Sequence, residues 1–242
     1  GLLDVWMSHG DKVVELPEDF ELIAETDSCP IAGMAHMEKP FYGIQFHPEV
    51  THTLQGKRIF EHFVLEQCGC EALWTPANIV EDAIDRVKAM VGDDKVLLGL
   101  SGGVDSAIVA TIAADALGPE NVRCVMLPSE YTSQGSLDDA KAVAENLGCH
   151  YDFVPISDGR TAVTNTLAPL FAGYDPGLTE ENIQSRLRGL LLMAMSNKFG
   201  EMLLTTGNKS EVAVGYATIY GDMSGGYNPI KDLYKTRVFE MC

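Results

Sequence analysis

Long apolar runs are missing from this 242-residue chain. No stretch approaches the ~18 residues that cross a bilayer, and no basic segment followed by an apolar one opens the sequence. No membrane is therefore expected among its partners. Basic residues are also few. Seventeen Lys and Arg against 35 Asp and Glu leave a formal net charge of −18, so the basic face needed for general nucleic-acid binding is absent. A nucleotide ligand is not excluded, because a few local donors hold phosphates against an acidic background. Cysteine is sparse: six residues at irregular positions, with Cys68-Gly69-Cys70 lacking the second pair of a zinc site. Reduced thiols and a cytoplasmic location are the expectation. Internal repeats and low-complexity tracts are absent as well. The chain opens at Gly1 without an initiator Met and ends at Met241-Cys242 inside a periodic segment, and both ends read as cuts in a longer protein.

What remains is a sequence that is 46% hydrophobic, enough for a substantial core. Short extended segments, Phe20–Thr26, Ile31–His36 and Phe41–Phe46, are separated by proline-containing turns and predict a small antiparallel sheet. Gly56–Gln67 carries Ile59, Phe60, Phe63 and Val64 at helical spacing. Gly69–Pro76 reads as a linker, and Ala77–Met90 as a helix with Ile79, Val80, Ala83, Ile84, Val87 and Met90 inward. From there strands and helices alternate. Strand Val96–Leu100 leads to helix Val104–Leu117, strand Val122–Leu127 to helix Gly135–Leu147, and Tyr151–Ile156 is a third strand. A polar, proline-containing stretch precedes a long helix, Glu180–Phe199. Strand Met202–Thr206 and a helical start near Lys209 follow. The alternation predicts an open α/β sheet of parallel strands, preceded by a domain with a small antiparallel sheet.

Ser101-Gly102-Gly103-Val104-Asp105-Ser106 sits where a buried strand meets a helix. Ligands of open parallel sheets bind beyond the carboxyl ends of the strands. The two glycines let the backbone approach a ligand, Ser101 and Ser106 add hydroxyl donors, and the first amides of the helix attract negative charge. A carboxylate at Asp105 would repel phosphate unless a magnesium ion lay between them. Composition alone equally allows an ordinary strand–turn–helix connection with an Asp cap. The order Ser-Gly-Gly-x-Asp-Ser resembles the pyrophosphate loop of the ATP-pyrophosphatases, and it lacks the Gly-Lys-Ser or Gly-Lys-Thr of a Walker loop.

Downstream, Leu127–Ser133, Leu178–Gly189, Leu204–Glu211, Tyr220–Met223 and Pro229–Thr236 resemble the synthetase domain of glutamine-dependent NAD synthetase. The resemblance runs from about residue 101 to 242. It implies a nucleotide alpha hydrolase (Rossmann-like) sheet, with ATP held by Gly99, Leu100, Ser101, Gly102, Gly103, Val104, Asp105, Ser106, Thr206 and Lys235. It further implies magnesium on Asp105 and Glu211, deamido-NAD contacted by Arg186 and Glu211, ammonia as the amine, and a homodimer in the intact protein. Without the resemblance, Arg186 and Arg188 read as solvated charges on a long helix, Thr206 as a strand-end residue and Glu211 as a first-turn carboxylate.

Val5–Asp11, Tyr42–Val50 and Cys70–Pro76 resemble a different family, GMP synthetase, over roughly residues 1 to 106. They match the end of its class I glutaminase domain (1–70), its linker (71–76) and the start of its ATP-pyrophosphatase domain, here 77–242 with a cut C-terminus. In that family a cysteine nucleophile is activated by a His that a Glu orients, positions matched by His47 and Glu49. The Gly-x-Cys-x-Gly elbow has no counterpart in this sequence, so the pair is expected to be a catalytic remnant and the glutaminase part inert. A metal reading of His47, Glu49 and His52 competes with exposed loop residues.

Three readings follow. The first is an ATP-dependent ligase that adenylates and amidates deamido-NAD, giving NAD, AMP and pyrophosphate. The second is a fragment of GMP synthase, which aminates XMP. The third is a non-catalytic nucleotide-binding fragment or chimera.

Overall fold

Phe20–Ala24 (β1), Gly33–His36 (β2) and Tyr42–Ile44 (β3) pair antiparallel in the order β1-β2-β3. In β2 the alternation is visible directly: Gly33 and Ala35 are buried while Met34 and His36 are half-buried. The turn between β1 and β2 is closed by the Thr26 hydroxyl, which accepts from the Cys29 amide at 2.9 Å. All three strands are shorter than the alternation predicts. The predicted helix Gly56–Gln67 is split into Gly56–Glu61 (α1) and a wider π turn over His62–Gln67, whose wider bonding no hydrophobic spacing encodes.

The computed structural model describes residues 1–73 and 75–242; Trp74, inside the expected linker, lies outside the described residues. The chain divides into two units, the first being Gly1–Leu73.

The second unit begins with Pro76–Val91 (α2), whose first turn is capped by the Thr75 hydroxyl accepting from the Asn78 amide. Ile79, Ala83, Val87 and Val91 recur every four residues and are buried. Met90, expected inward, is 49% exposed, because Val91 continues the four-residue row.

Val96–Gly99 (β4), Val122–Met126 (β5), His150–Phe153 (β6) and Met202–Leu204 (β7) form a parallel sheet in the order β6-β5-β4-β7. Val96, Leu97 and Leu98 are fully buried, as a central parallel strand covered on both faces requires. Val104–Leu117 (α3) packs on β4 and β5 and touches α2, so seven of its residues are buried. Gln134–Leu147 (α4) lies against β5 and β6. Leu178–Phe199 (α6) contacts β4 and β7, and its Leu191, Leu192 and Met195 pack with Val125, Leu127 and Ile156 in a second, smaller core.

Ser157–Leu167 (α5) was not foreseen: its sequence shows no apolar stripe, and none of its residues is buried. Two short helices, Lys209–Ala213 (α7) and Lys235–Met241 (α8), complete the unit. Among the described residues no helix is long and apolar enough to cross a membrane.

Candidate active site

Strand order locates the site before any residue is considered. After β4 the chain moves outward through β5 to β6 and then returns to the other side of β4 as β7. The loops leaving β4 and β7 therefore diverge, and the crevice between them is the switch point where open α/β sheets bind ligands. Ser101–Gly103 leaves β4 and Thr205–Asn208 leaves β7.

The first of these loops is shaped by its own side chains. The Ser101 amide donates to the Ser106 hydroxyl at 3.2 Å, and the Gly103 amide to the Ser101 hydroxyl at 3.3 Å. Ser106, 2% exposed, donates to the Gly103 carbonyl at 2.9 Å. In this structure that proton closes the turn, while Ser106 also lines the second cavity described below. Gly102 has φ +78°, and a Cβ there would lie 2.4 Å from the Ser136 carbonyl of α4. The first helical hydrogen bond of α3 runs from Ala107 to Gly103, so the amides of Val104, Asp105 and Ser106 precede the helical ladder.

Two cavities adjoin this loop and share Ser101, Thr205, Thr206 and Asp222. The first, about 600 Å³, is bounded by Gly99 and Leu100, by Met126 and Leu127 at the end of β5, and by Arg188 and Leu192 of α6. The second, about 510 Å³, is lined by Ser101, Gly103, Asp105, Ser106, Glu211 and Lys231 among others. Of the expected ATP residues, Gly99, Leu100, Ser101, Gly103, Asp105, Ser106 and Thr206 line one cavity or both. Gly102 lies in the turn, Val104 is the first residue of α3 and Lys235 the first of α8; none of the three lines either cavity.

Asp105 uses both carboxylate oxygens. Oδ1 accepts from Asn208 Nδ2 at 3.2 Å, and Oδ2 pairs with the Lys235 ammonium, which thereby reaches the site from α8. Asn208, 1% exposed, caps α7: its Oδ1 accepts from the Glu211 amide and its own amide donates to Glu211 Oε2, each at 3.0 Å. Two hard oxygen donors facing one cavity fit magnesium, which takes one or two protein carboxylates and completes its shell with water and phosphate. Among the described residues there is no cluster of three or more His, Cys, Asp or Glu that would hold a metal without such a ligand.

Arg186 lies outside the lining of both cavities, and its Nε donates to the Ile219 carbonyl at 3.2 Å. It belongs to a face of α6 that holds the loop Thr218–Asp222. Asn182 accepts from the Thr218 hydroxyl, and Ser185 from the Asp222 amide. A Cβ on Gly189 would lie 2.8 Å from the Gly221 carbonyl. Arg188, two residues from Arg186 and so on another side of the helix, lines the first cavity and donates to the Leu127 carbonyl at 2.9 Å. Burial lowers its pKa from the ordinary guanidinium value. The reading of Arg188 as a solvated charge is corrected by this position. Asn208 and Asp222 fall in runs that carry the resemblance, but the sequence assigns neither a role. The signal available for Asp222 was the glycine in mid-helix at 189, since such a residue marks close approach of another backbone.

In the first unit His47 Nδ1 lies 2.8 Å from Glu49 Oε1, and the His47 ring stacks on His9 with centroids 5.0 Å apart. Its own backbone amide, and then the His47 ring, hold the Glu49 carboxyl below the usual range. Cys29 is buried in the β1–β2 turn and its thiol donates to the Ile31 carbonyl. None of the six cysteines, all described, follows a strand and opens a helix.

Residues 77–242 match the NAD synthase family model, and residues 2–67 match the class I glutamine amidotransferase model. A glutamine-dependent NAD(+) synthetase of Rhodobacter capsulatus is 61% identical over 194 residues, 75% of this chain and 35% of that protein. A glutamine-hydrolysing GMP synthase of Teredinibacter turnerae is 63% identical over 148 residues, 61% of this chain and 28% of that protein. The chain thus spans about a third of the length of these relatives. Among solved structures, a glutamine-dependent NAD+ synthetase from Acinetobacter baumannii, bound to adenosine diphosphate, superposes with a TM-score of 0.68. It is 46% identical, and the match covers 71% of this chain and 33% of that one. The ammonia-dependent NAD synthetase of Campylobacter jejuni gives a TM-score of 0.63 at 32% identity, covering 69% of this chain and 72% of that one. With the glycine-rich loop, the switch-point crevice and two thirds of its length in accord, the chain belongs to the NAD synthase family.

Proposed function

We propose that the second unit is an ATP-dependent ligase that amidates deamido-NAD with ammonia. The observation that carries this is the meeting of Ser101–Ser106, Asp105, Thr206, Glu211 and Lys235 at one switch point, in a chain of this family. The first cavity, with its strand-end and α6 walls, has the size of a nucleoside site, and the glycine-rich loop stands between it and the acidic second cavity. In this reading the triphosphate lies along the loop, where the amides of Val104–Ser106 meet its oxygens. Asp105 and Glu211 would hold magnesium, which when bound neutralises phosphate charge. Lys235 adds a positive charge beside Asp105.

The nicotinate carboxylate attacks the α-phosphorus and pyrophosphate leaves. Ammonia then attacks the acyl carbon, AMP leaves with the bonding pair, and a proton is lost to water. Positioning and charge stabilisation supply the acceleration, with no covalent protein intermediate. No cysteine of this chain occupies a nucleophile elbow, so ammonium and not glutamine is its nitrogen source.

A homodimer of the intact protein is proposed to pair through α6, where Leu190 (64% exposed) and Met193 lie one turn apart on the surface. Six free cysteines suit a reducing compartment, the cytoplasm.

Pyrophosphate release by the 242-residue chain tests the reading, with ATP, magnesium and ammonium plus either deamido-NAD or XMP. Release with deamido-NAD is expected. Release with XMP alone would replace it by the GMP synthase reading, which the Teredinibacter relative favours. ATP binding without release from either substrate would support a non-catalytic role.

A further inference from the structure

Asp105, in the first turn of α3, and Glu211, in α7, are tied by one residue. That residue is Asn208, 103 residues from Asp105 in sequence and almost wholly buried; its side-chain nitrogen holds the Asp105 carboxylate and its backbone amide holds the Glu211 carboxylate. Its amide nitrogen donates to Asp105, while its carbonyl oxygen and its backbone amide both engage Glu211. A helix cap needs only the oxygen, so a Ser or Thr would serve α7 equally well. The nitrogen does something that capping does not require.

The same loop is anchored from behind. Asn228 Nδ2 donates to the Gly207 carbonyl at 2.8 Å, and the Thr205 amide donates to the Tyr227 carbonyl at 2.9 Å. Asn208 is therefore a fixed point against which a carboxylate can be oriented. By holding Oδ1 of Asp105, its nitrogen turns Oδ2 toward cations, and the Lys235 ammonium pairs with that oxygen here and would share it with a metal.

We infer that Asn208 is a positioning residue that locks the Asp105 and Glu211 carboxylates into one divalent-cation site, presenting a single oxygen of Asp105 to the metal. It touches neither metal nor phosphate. It acts through the two residues that do, as outer-shell partners of metal ligands commonly act. This inference rests on the proposal that metal-bound ATP occupies the second cavity.

The test is calorimetric titration of ATP into the full chain, once with magnesium chloride and once with EDTA, for the wild type and Asn208→Ser. Serine keeps the cap and loses the amide donor, and Asn208→Thr does the same should the serine variant fail to fold. The expected result is unchanged affinity for ATP in EDTA, with the affinity gained on adding magnesium reduced about 10-fold or more. Manganese titrated in the presence of ATP should show the same loss in its spin-resonance signal. A variant that keeps the full magnesium gain overturns the inference while leaving the metal–ATP reading intact. Equal losses in magnesium and EDTA would also overturn it, since a residue that merely holds the fold weakens both. A wild type with no magnesium gain overturns the metal–ATP reading itself.

Discussion

Gly102 is the position where the loop admits no side chain. Its φ of +78° costs any L-residue about 1–2 kcal/mol, and a Cβ would meet the Ser136 carbonyl at 2.4 Å. Gly102→Ala should lower Tm by about 4 °C or more and abolish ATP binding, because the clash is with backbone that cannot rotate away. Thermal denaturation and calorimetry check both, and an unchanged melting curve would mean that α4 yields instead. This demand was legible in the sequence: two glycines after a buried strand announce a turn that approaches something closely. Asn208 was not. Nothing local separates it from an ordinary cap, and its second partner lies 103 residues away. The sequence offers Asp105 as a candidate ligand, whereas its pairing with Lys235 depends on where α8 folds back.

Between elements, the side of the sheet away from the crevice is tied by Arg123. Its guanidinium meets Glu201 at 2.7 and 3.1 Å and Asp152 at 2.7 Å, joining β5 to β6 and to the turn between α6 and β7. Burial alone would raise the Asp152 pKa, but the hydrogen bonds from Arg123 and His150 outweigh it and hold the carboxyl below its usual range. The folded state therefore binds this proton less tightly than the unfolded chain. The resulting stability is complete above the unfolded value near 4 and disappears as pH falls through the folded one. Asp152→Asn should flatten the acid limb of Tm against pH below about 4, and an acid limb as steep as that of the wild type would rule out this contribution. Gly189 shows a second kind of coupling. Gly189→Ala adds about 1 kcal/mol of helix preference to α6 yet presses on the Tyr220 and Gly221 carbonyls, 3.0 and 2.8 Å from the new Cβ. Faster proteolysis within 218–224 and weaker ATP binding are expected despite the better helix. Alternation of period found every strand of the parallel sheet. It missed α5, whose residues bury nothing, and the π turn, which hydrophobic spacing does not mark.

For the molecule as a whole, a net charge of −18 opposes the approach of a polyphosphate. Screening should help, since the Debye length falls from about 30 Å at 0.01 M salt to about 10 Å at 0.1 M. ATP association measured by stopped flow is expected to quicken over that range. Slowing would show that Lys231, Lys235 and Arg188 govern the approach. The open sheet and its ligand edge were legible at this scale, because strand and helix alternate. The strand order, and with it the place where the loops part, was not, since sequence alone leaves open which side of β4 receives β7.

One feature of the second unit bears on ancestry. The GMP synthase match of 148 residues is longer than the first unit, Gly1–Leu73, while the NAD synthase match begins at residue 77 with α2. The two lineages thus overlap within a folded core, not at the seam between units. Ile79, Ala83, Val87 and Val91 of α2 share that core with Ile108, Val109, Ile112 and Ala113 of α3, and all eight are small or branched aliphatics. Such an interface tolerates swapped partners of similar volume. A crossover between the two gene families inside that core would exchange packing partners of similar shape, at a cost usually below about 1.5 kcal/mol per volume-conserving change.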